Sequence, residues 1–103
     1  MATFWITFRI EDRNVGGRTY DDRRSALYEA VRVRSSQWWL KPTSYVAFES
    51  DHSLDALAEA CKLAISPDHD LFLMREMDAK GAIICGNNDD RDIYKLMPYL
   101  RTL

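Results

Sequence analysis

Residues 38–86 read WWLKPTSYVAFESDHSLDALAEACKLAISPDHDLFLMREMDAKGAIICG, and this stretch decides the fold. The run at 43–49 is rich in β-branched and aromatic residues and predicts a strand. Ser53 is a favourable N-cap, and apolar side chains then recur at helical spacing as far as Ile65, just before a Ser-Pro pair. The stretch therefore predicts a strand followed directly by an amphipathic helix.

Two further apolar runs follow that helix, at 70–77 and 82–85. The four residues between them form a polar turn that ends in glycine, so the two runs predict a hairpin. Upstream, apolar and polar side chains alternate between residues 3 and 10, which predicts a strand with one buried face. A loop with two glycines, a helix that begins near residues 19–22 and a short strand or bend at 37–40 come next.

The order of these elements predicts an α+β fold. We expect a ferredoxin-like β-α-β-β-α-β sandwich with a C-terminal hairpin strand and a short C-terminal helix that kinks or stops near Pro98. One domain should span residues 1–103, with residues 87–103 as a C-terminal extension. Both longer helices should cover one sheet face, and an aromatic face free of helices often binds a partner subunit, so we expect a homodimer.

Composition limits the function classes. The chain has 103 residues, of which 47% are hydrophobic and 29% charged, as in ordinary globular proteins. Its net charge of -2 gives no overall attraction to nucleic-acid phosphates. No leader-like segment and no apolar run of about 18 residues is found, so we expect a cytoplasmic protein without a membrane span. Cys61 and Cys85 should be small core residues rather than a disulfide pair.

Four short stretches carry a family resemblance: Trp38-Trp39, SYVAFE at 44–49, the 54–65 helix followed by SPD, and DLFLMR at 70–75. Together they resemble the SinR-like and VapD-like branch of the superfamily of the small CRISPR-associated adaptation endonuclease. The resemblance covers residues 3–86 and implies a compact ferredoxin-like fold and homodimers formed through the sheets. The resemblance leaves the role open, because some members are metal-dependent nucleases, whereas others are structural subunits or toxins.

The chain departs from the nuclease members at the end of the first strand. The resemblance implies an aspartate after an aromatic residue there, where two subunits hold a divalent cation. In this sequence Phe8 takes the aromatic position and Arg9 the next one, and an arginine repels a cation. Glu11 and Asp12 lie close by and could supply oxygen ligands for Mg²⁺, but their register is two or three residues away.

Two sets of side chains are candidates for binding nucleic acid. Arginines are dense in the first half of the chain, and guanidinium groups match phosphate oxygens: Arg9, Arg13, Arg18, Arg23 and Arg24. Acidic residues lie among them, so a surface of ion pairs is the alternative. Aromatic side chains could stack on bases, or could instead pack into the core or a dimer interface: Trp5, Trp38, Trp39 and Tyr45.

We predict a small cytoplasmic homodimeric SinR-like protein that binds nucleic acid or has a structural role, without the nuclease aspartate. One alternative is a divalent-metal-dependent endonuclease that uses Glu11 and Asp12. Mg²⁺ is expected only in that case, and no other cofactor is expected. The second alternative is a protein-interaction module that adds an exposed strand to the sheet of a partner.

Overall fold

The computed structural model describes residues 1–78, 82–85 and 88–102. Within these ranges the chain forms a mixed α+β fold with three helices, a four-stranded sheet and a two-stranded sheet. The elements are β1 (Ala2–Arg9), α1 (Tyr20–Arg32), β2 (Gln37–Trp39), β3 (Tyr45–Ser50), α2 (Leu54–Ala64), β4 (Leu71–Met77), β5 (Ile83–Ile84), α3 (Asp92–Leu96) and β6 (Arg101–Thr102).

The larger sheet has the strand order β2-β3-β1-β4, and all neighbouring strands are antiparallel. In the middle of the sheet Phe4 of β1 lies opposite Phe48 of β3 and opposite Glu76 of β4. The alternation that predicted β1 is explained by this central position, because every second side chain enters the core. The predicted α+β class is confirmed at this level.

Both longer helices begin where the sequence predicts. The hydroxyl of Thr19 accepts a hydrogen bond from the amide of Asp22, and the carboxylate of Asp22 accepts one from the amide of Thr19. This reciprocal capping box satisfies two amides that the first turn of α1 leaves free. Ser53 caps α2 with a hydrogen bond from the amide of Ala56.

The main core lies on the sheet face that α1 and α2 cover, which we call the inner face. Phe4, Ile6 and Phe8 of β1 are buried there against apolar side chains that include Leu27 of α1 and Leu57 of α2. The ring centroids of Phe4 and Phe48 lie 5.5 Å apart in a stacked arrangement. Burial of this apolar surface is the dominant favourable term for the fold.

The opposite face is here called the outer face. The sequence predicted that no helix covers this face, but the structure places part of the chain on it. Residues 82–85 and 88–102, which we call the C-terminal segment, form a second small core against it. Ile93, Leu96 and Met97 are buried there with Ala47 of β3. The prediction of a bare aromatic face is therefore wrong on the β2–β3 side, because the chain covers that side with its own apolar residues.

The predicted hairpin is also wrong. β5 pairs in parallel with β6, with Ile83 opposite Arg101, whereas β4 pairs with β1. Most of the predicted turn, residues 79–81, lies outside the described residues. Ile84 of β5 and the preceding Ala82 pack against the second core instead of extending the large sheet, whereas Ile83 is exposed. The short C-terminal helix does end before Pro98, as predicted.

The two cysteines have different environments. Cys61 of α2 is buried, as predicted, but Cys85 is exposed, so the prediction of a core position for Cys85 is wrong. Both thiols are free. Burial raises the pKa of the Cys61 thiol to about 11.

Candidate nucleic-acid interface

Three aromatic side chains meet on the outer face and form what we call the aromatic platform: Trp5, Trp39 and Tyr45. The ring centroids of Trp5 and Tyr45 lie 6.3 Å apart with an interplanar angle of 22°, so the two rings are stacked. Trp39 meets Tyr45 edge-on at 6.2 Å. The register explains the arrangement, because Tyr45 is opposite Thr7 and is thus a diagonal neighbour of Trp5 on the same face.

Trp38 does not join the platform. As its neighbour on β2, it points to the other side of the sheet and packs against the inner-face core. The structure therefore divides the four predicted aromatic residues into an outer group of three and one inner residue.

Arginine side chains flank the exposed side of the platform. Arg75 of β4 lies directly opposite Trp5 in the sheet and is exposed. Arg9, at the end of β1, is also exposed and alternates onto the same face as Trp5 and Thr7. The sequence prediction missed Arg75 because it concentrated on the first half of the chain. Alternation along β4 was the available signal.

The C-terminal segment is fastened beside the platform by polar contacts. The Nε1 atom of Trp39 donates a hydrogen bond to Oδ1 of Asn88 at a distance of 3.1 Å. Lys41, just after β2, forms an ion pair with Asp89. Burial, with a smaller contribution from Tyr99, raises the pKa of Tyr45 above its ordinary value.

The structure places Arg23 in the interior, where it cannot contact a phosphate. Its side chain has no solvent exposure, and its Nε donates a hydrogen bond to Oδ2 of Asp70, with 2.9 Å between the two atoms. Nη1 donates to the carbonyls of Arg13 and Arg18, both at 2.9 Å, and Nη2 donates to the carbonyl of Glu11 at 2.6 Å. Arg23 therefore holds the loop after β1 against α1.

Asp70 completes this arrangement. Its carboxylate accepts hydrogen bonds from the amides of Glu11 and Ser66, each at 2.9 Å, in addition to those from Arg23. Burial alone would raise the pKa of Asp70, but the hydrogen bonds from Arg23 and from the two amides outweigh it. The pKa consequently lies below its ordinary value. Sequence reasoning missed Asp70 as a partner of Arg23.

The remaining predicted arginines are dispersed. Arg18 donates to the carbonyl of Ala64, at the end of α2. Arg24 lies over the Tyr28 ring, 5.0 Å from its centroid, and Nη2 donates to the Tyr28 hydroxyl at 2.9 Å. Arg13 is exposed and forms a 3.6 Å ion pair with Glu11. The structure thus does not gather the five predicted arginines into one patch.

The two predicted metal-ligand candidates differ in their contacts. Oε2 of Glu11 lies 3.1 Å from Nδ1 of His69, while Oε1 faces Arg13. Asp12 is exposed beside them. In the ranges that the structure describes, no group of three His, Cys, Asp or Glu side chains is placed to hold a metal ion. Glu11 is engaged in this hydrogen bond and ion pair.

Among the helices that the structure describes, none has the length and apolar character needed to cross a bilayer. A scan against protein-family models finds no match to this chain. A search of curated proteins likewise finds no significant match.

Proposed function

We propose that the protein binds single-stranded nucleic acid on its outer face, as a SinR-like protein of ferredoxin-like fold. The observation that carries this proposal is the stacked pair of Trp5 and Tyr45 on two central strands, with Arg75 directly opposite Trp5. Stacking of unpaired bases on aromatic residues of a four-stranded sheet is a common mode of RNA recognition.

The arrangement suits a single strand better than a duplex. Stacking requires access to the flat face of a base, which only an unpaired nucleotide offers, and it tolerates any sequence. Arg9 and Arg75 are exposed at outer-face positions of β1 and β4, on one side of the platform, and would pair with backbone phosphates of the bound strand. These two side chains replace the larger arginine set that the sequence predicted.

The ferredoxin-like part of the proposal rests on topology. The strand order β2-β3-β1-β4, with antiparallel neighbours, is the order expected for this sandwich, and α1 and α2 lie on one face of the sheet. The resemblance to SinR-like proteins is compatible with the same order. We include this resemblance in the proposal because it rests on several stretches of the sequence: Trp38-Trp39 and the stretches that form β3, α2 and β4.

We further propose a homodimer that associates through β4, an edge strand of the sheet. Leu71 and Leu73 of β4 are 61% and 59% exposed, and β4 lies at an edge of the sheet. Exposed apolar side chains on an edge strand favour association with another chain. Sedimentation of the wild type and of a Leu73→Glu variant tests this, with a wild-type monomer as the contradicting result.

Direct binding measurements test the main proposal. Fluorescence anisotropy of labelled single-stranded RNA, single-stranded DNA and duplex DNA should show binding of the single strands that weakens as salt is added. Trp5→Leu should weaken binding about five- to hundredfold. The matched control is Trp38→Leu, which removes an aromatic ring from the inner side and should leave affinity unchanged in the folded protein. Absence of single-strand binding would contradict the proposal.

A further inference from the structure

A cavity of about 260 Å³ lies between the aromatic platform and the C-terminal segment. The platform forms its floor, and apolar side chains of the segment form its opposite wall, among them Ala82, Ile84 and Met97. Among the described residues that line it, no side chain carries a charge, and the cavity opens to solvent. The site therefore offers aromatic faces on one side and aliphatic contacts on the other.

The size of the cavity selects a class of ligand. An apolar protein cavity of about 150 Å³ accepts a benzene ring, so 260 Å³ accommodates a planar system of two fused rings. A flat ring would stack on Trp5 or Tyr45, because offset stacking is the preferred contact between aromatic faces. The open side leaves the polar edge of a heteroaromatic ring in contact with water.

We infer that this cavity binds one unpaired purine base, inserted between the aromatic platform and the C-terminal segment. The inference rests on the proposed function, since the base belongs to the single strand bound on the outer face. A pyrimidine, with a single ring, fills less of the cavity and makes fewer contacts with Ile84 and Met97. The protein should consequently prefer a strand that offers a purine.

Three labelled strands test the inference: a pyrimidine strand with one central adenine, the same strand with an abasic residue at that position, and the all-pyrimidine strand. The adenine strand should bind about five- to hundredfold more tightly than the abasic strand, which is the range that loss of one stacked base covers. The all-pyrimidine strand should lie between them. A fluorescent 2-aminopurine in place of the adenine should be quenched on binding, a readout that needs no protein variant.

An Ala82→Phe variant tests the location. The added ring fills the cavity but leaves Trp5 and Arg75 in place, so the adenine preference and the quenching should disappear while salt-dependent binding persists. Ala56→Phe, on the exposed surface of α2, is the matched control and should behave as the wild type. Thermal unfolding establishes that both variants are folded.

The outcomes separate the two ideas. Equal affinity for the adenine and abasic strands, with salt-dependent binding of both, would overturn the purine site and leave the proposed function standing. Failure of all three strands to bind would overturn the proposed function itself. Retention of the adenine preference in a folded Ala82→Phe variant would place the base elsewhere and overturn the cavity assignment.

Discussion

Arg23 and Asp70 form an ion pair at 2.9 Å in which neither side chain is exposed to solvent. The guanidinium of Arg23 also donates to three backbone carbonyls, and the carboxylate of Asp70 also accepts from two amides. A buried pair of this kind is tolerated because further hydrogen bonds satisfy both charges. The pair joins the loop after β1, helix α1 and the start of β4.

Removal of one member should be strongly destabilising. We expect Arg23→Met to lower the free energy of unfolding by about 3–5 kcal/mol, because it leaves the carboxylate of Asp70 buried without a counter-charge. Urea denaturation followed by circular dichroism measures the change. The matched control is Arg32→Met, which removes an exposed arginine from the Glu29 ion pair on α1 and should change stability little. Equal losses in the two variants would contradict the assigned role.

The free energy of unfolding should fall at acidic pH, because Asp70 then takes up a proton. Its pKa in the folded protein lies below the ordinary value of 3.8, so its contribution to stability is fully present above that pH. The contribution is lost as the pH falls through the lowered pKa, because the unfolded chain then takes up the proton first. Asp70→Asn should therefore be less stable than the wild type at neutral pH and should show a flatter stability profile below pH 3.8.

The thiols should react at very different rates. Only the thiolate is nucleophilic, and with a pKa of about 11 and a buried position Cys61 should stay unmodified in the folded protein. Cys85 is exposed and should react with a maleimide. Mass spectrometry of the labelled protein should find one modification, which Cys85→Ser removes. Reaction of Cys61 under native conditions would contradict the described packing of α2.

Two charge-reversal variants should show whether the affinity for nucleic acid depends on a contact at the outer face or on net charge alone. Arg75→Glu should weaken binding of single-stranded nucleic acid and reduce the slope of log affinity against log salt by about 0.7 for the lost phosphate contact. Arg32→Glu makes the same change of net charge on α1, away from the sheet. Equal effects of the two variants would indicate a response to net charge alone and would contradict a contact from Arg75.

Local signals in the sequence predicted much of the fold. Alternation identified β1, and Thr19 and Ser53 marked the starts of α1 and α2, because capping depends on residues only three positions apart. The hairpin prediction was wrong because the apolar run at 82–85 does not specify its partner. Parallel pairing of β5 with β6 needs a crossover connection, and α3 lies within that connection.

Less of the candidate site could be predicted from the sequence. Arg23 resembles its neighbouring arginines in sequence, and its burial depends on Asp70, which lies 47 positions away. Trp5 and Tyr45 were identified as aromatic candidates, but their stacking depends on the register between β1 and β3. The cavity could not be predicted, since it needs the C-terminal segment to fold back over the platform.

The convergence of several chain segments on Arg23 and Asp70 has a kinetic consequence. The hydrogen bonds of the pair join α1, the loop after β1, Ser66 after α2 and the residue before β4, so we expect them to form only once these segments have packed together on the sheet. Interactions that are absent from the folding transition state act mainly by slowing unfolding. The buried pair should thus govern the lifetime of the native molecule and the time it resists proteolysis, while the rate of refolding depends on the sheet and its inner core.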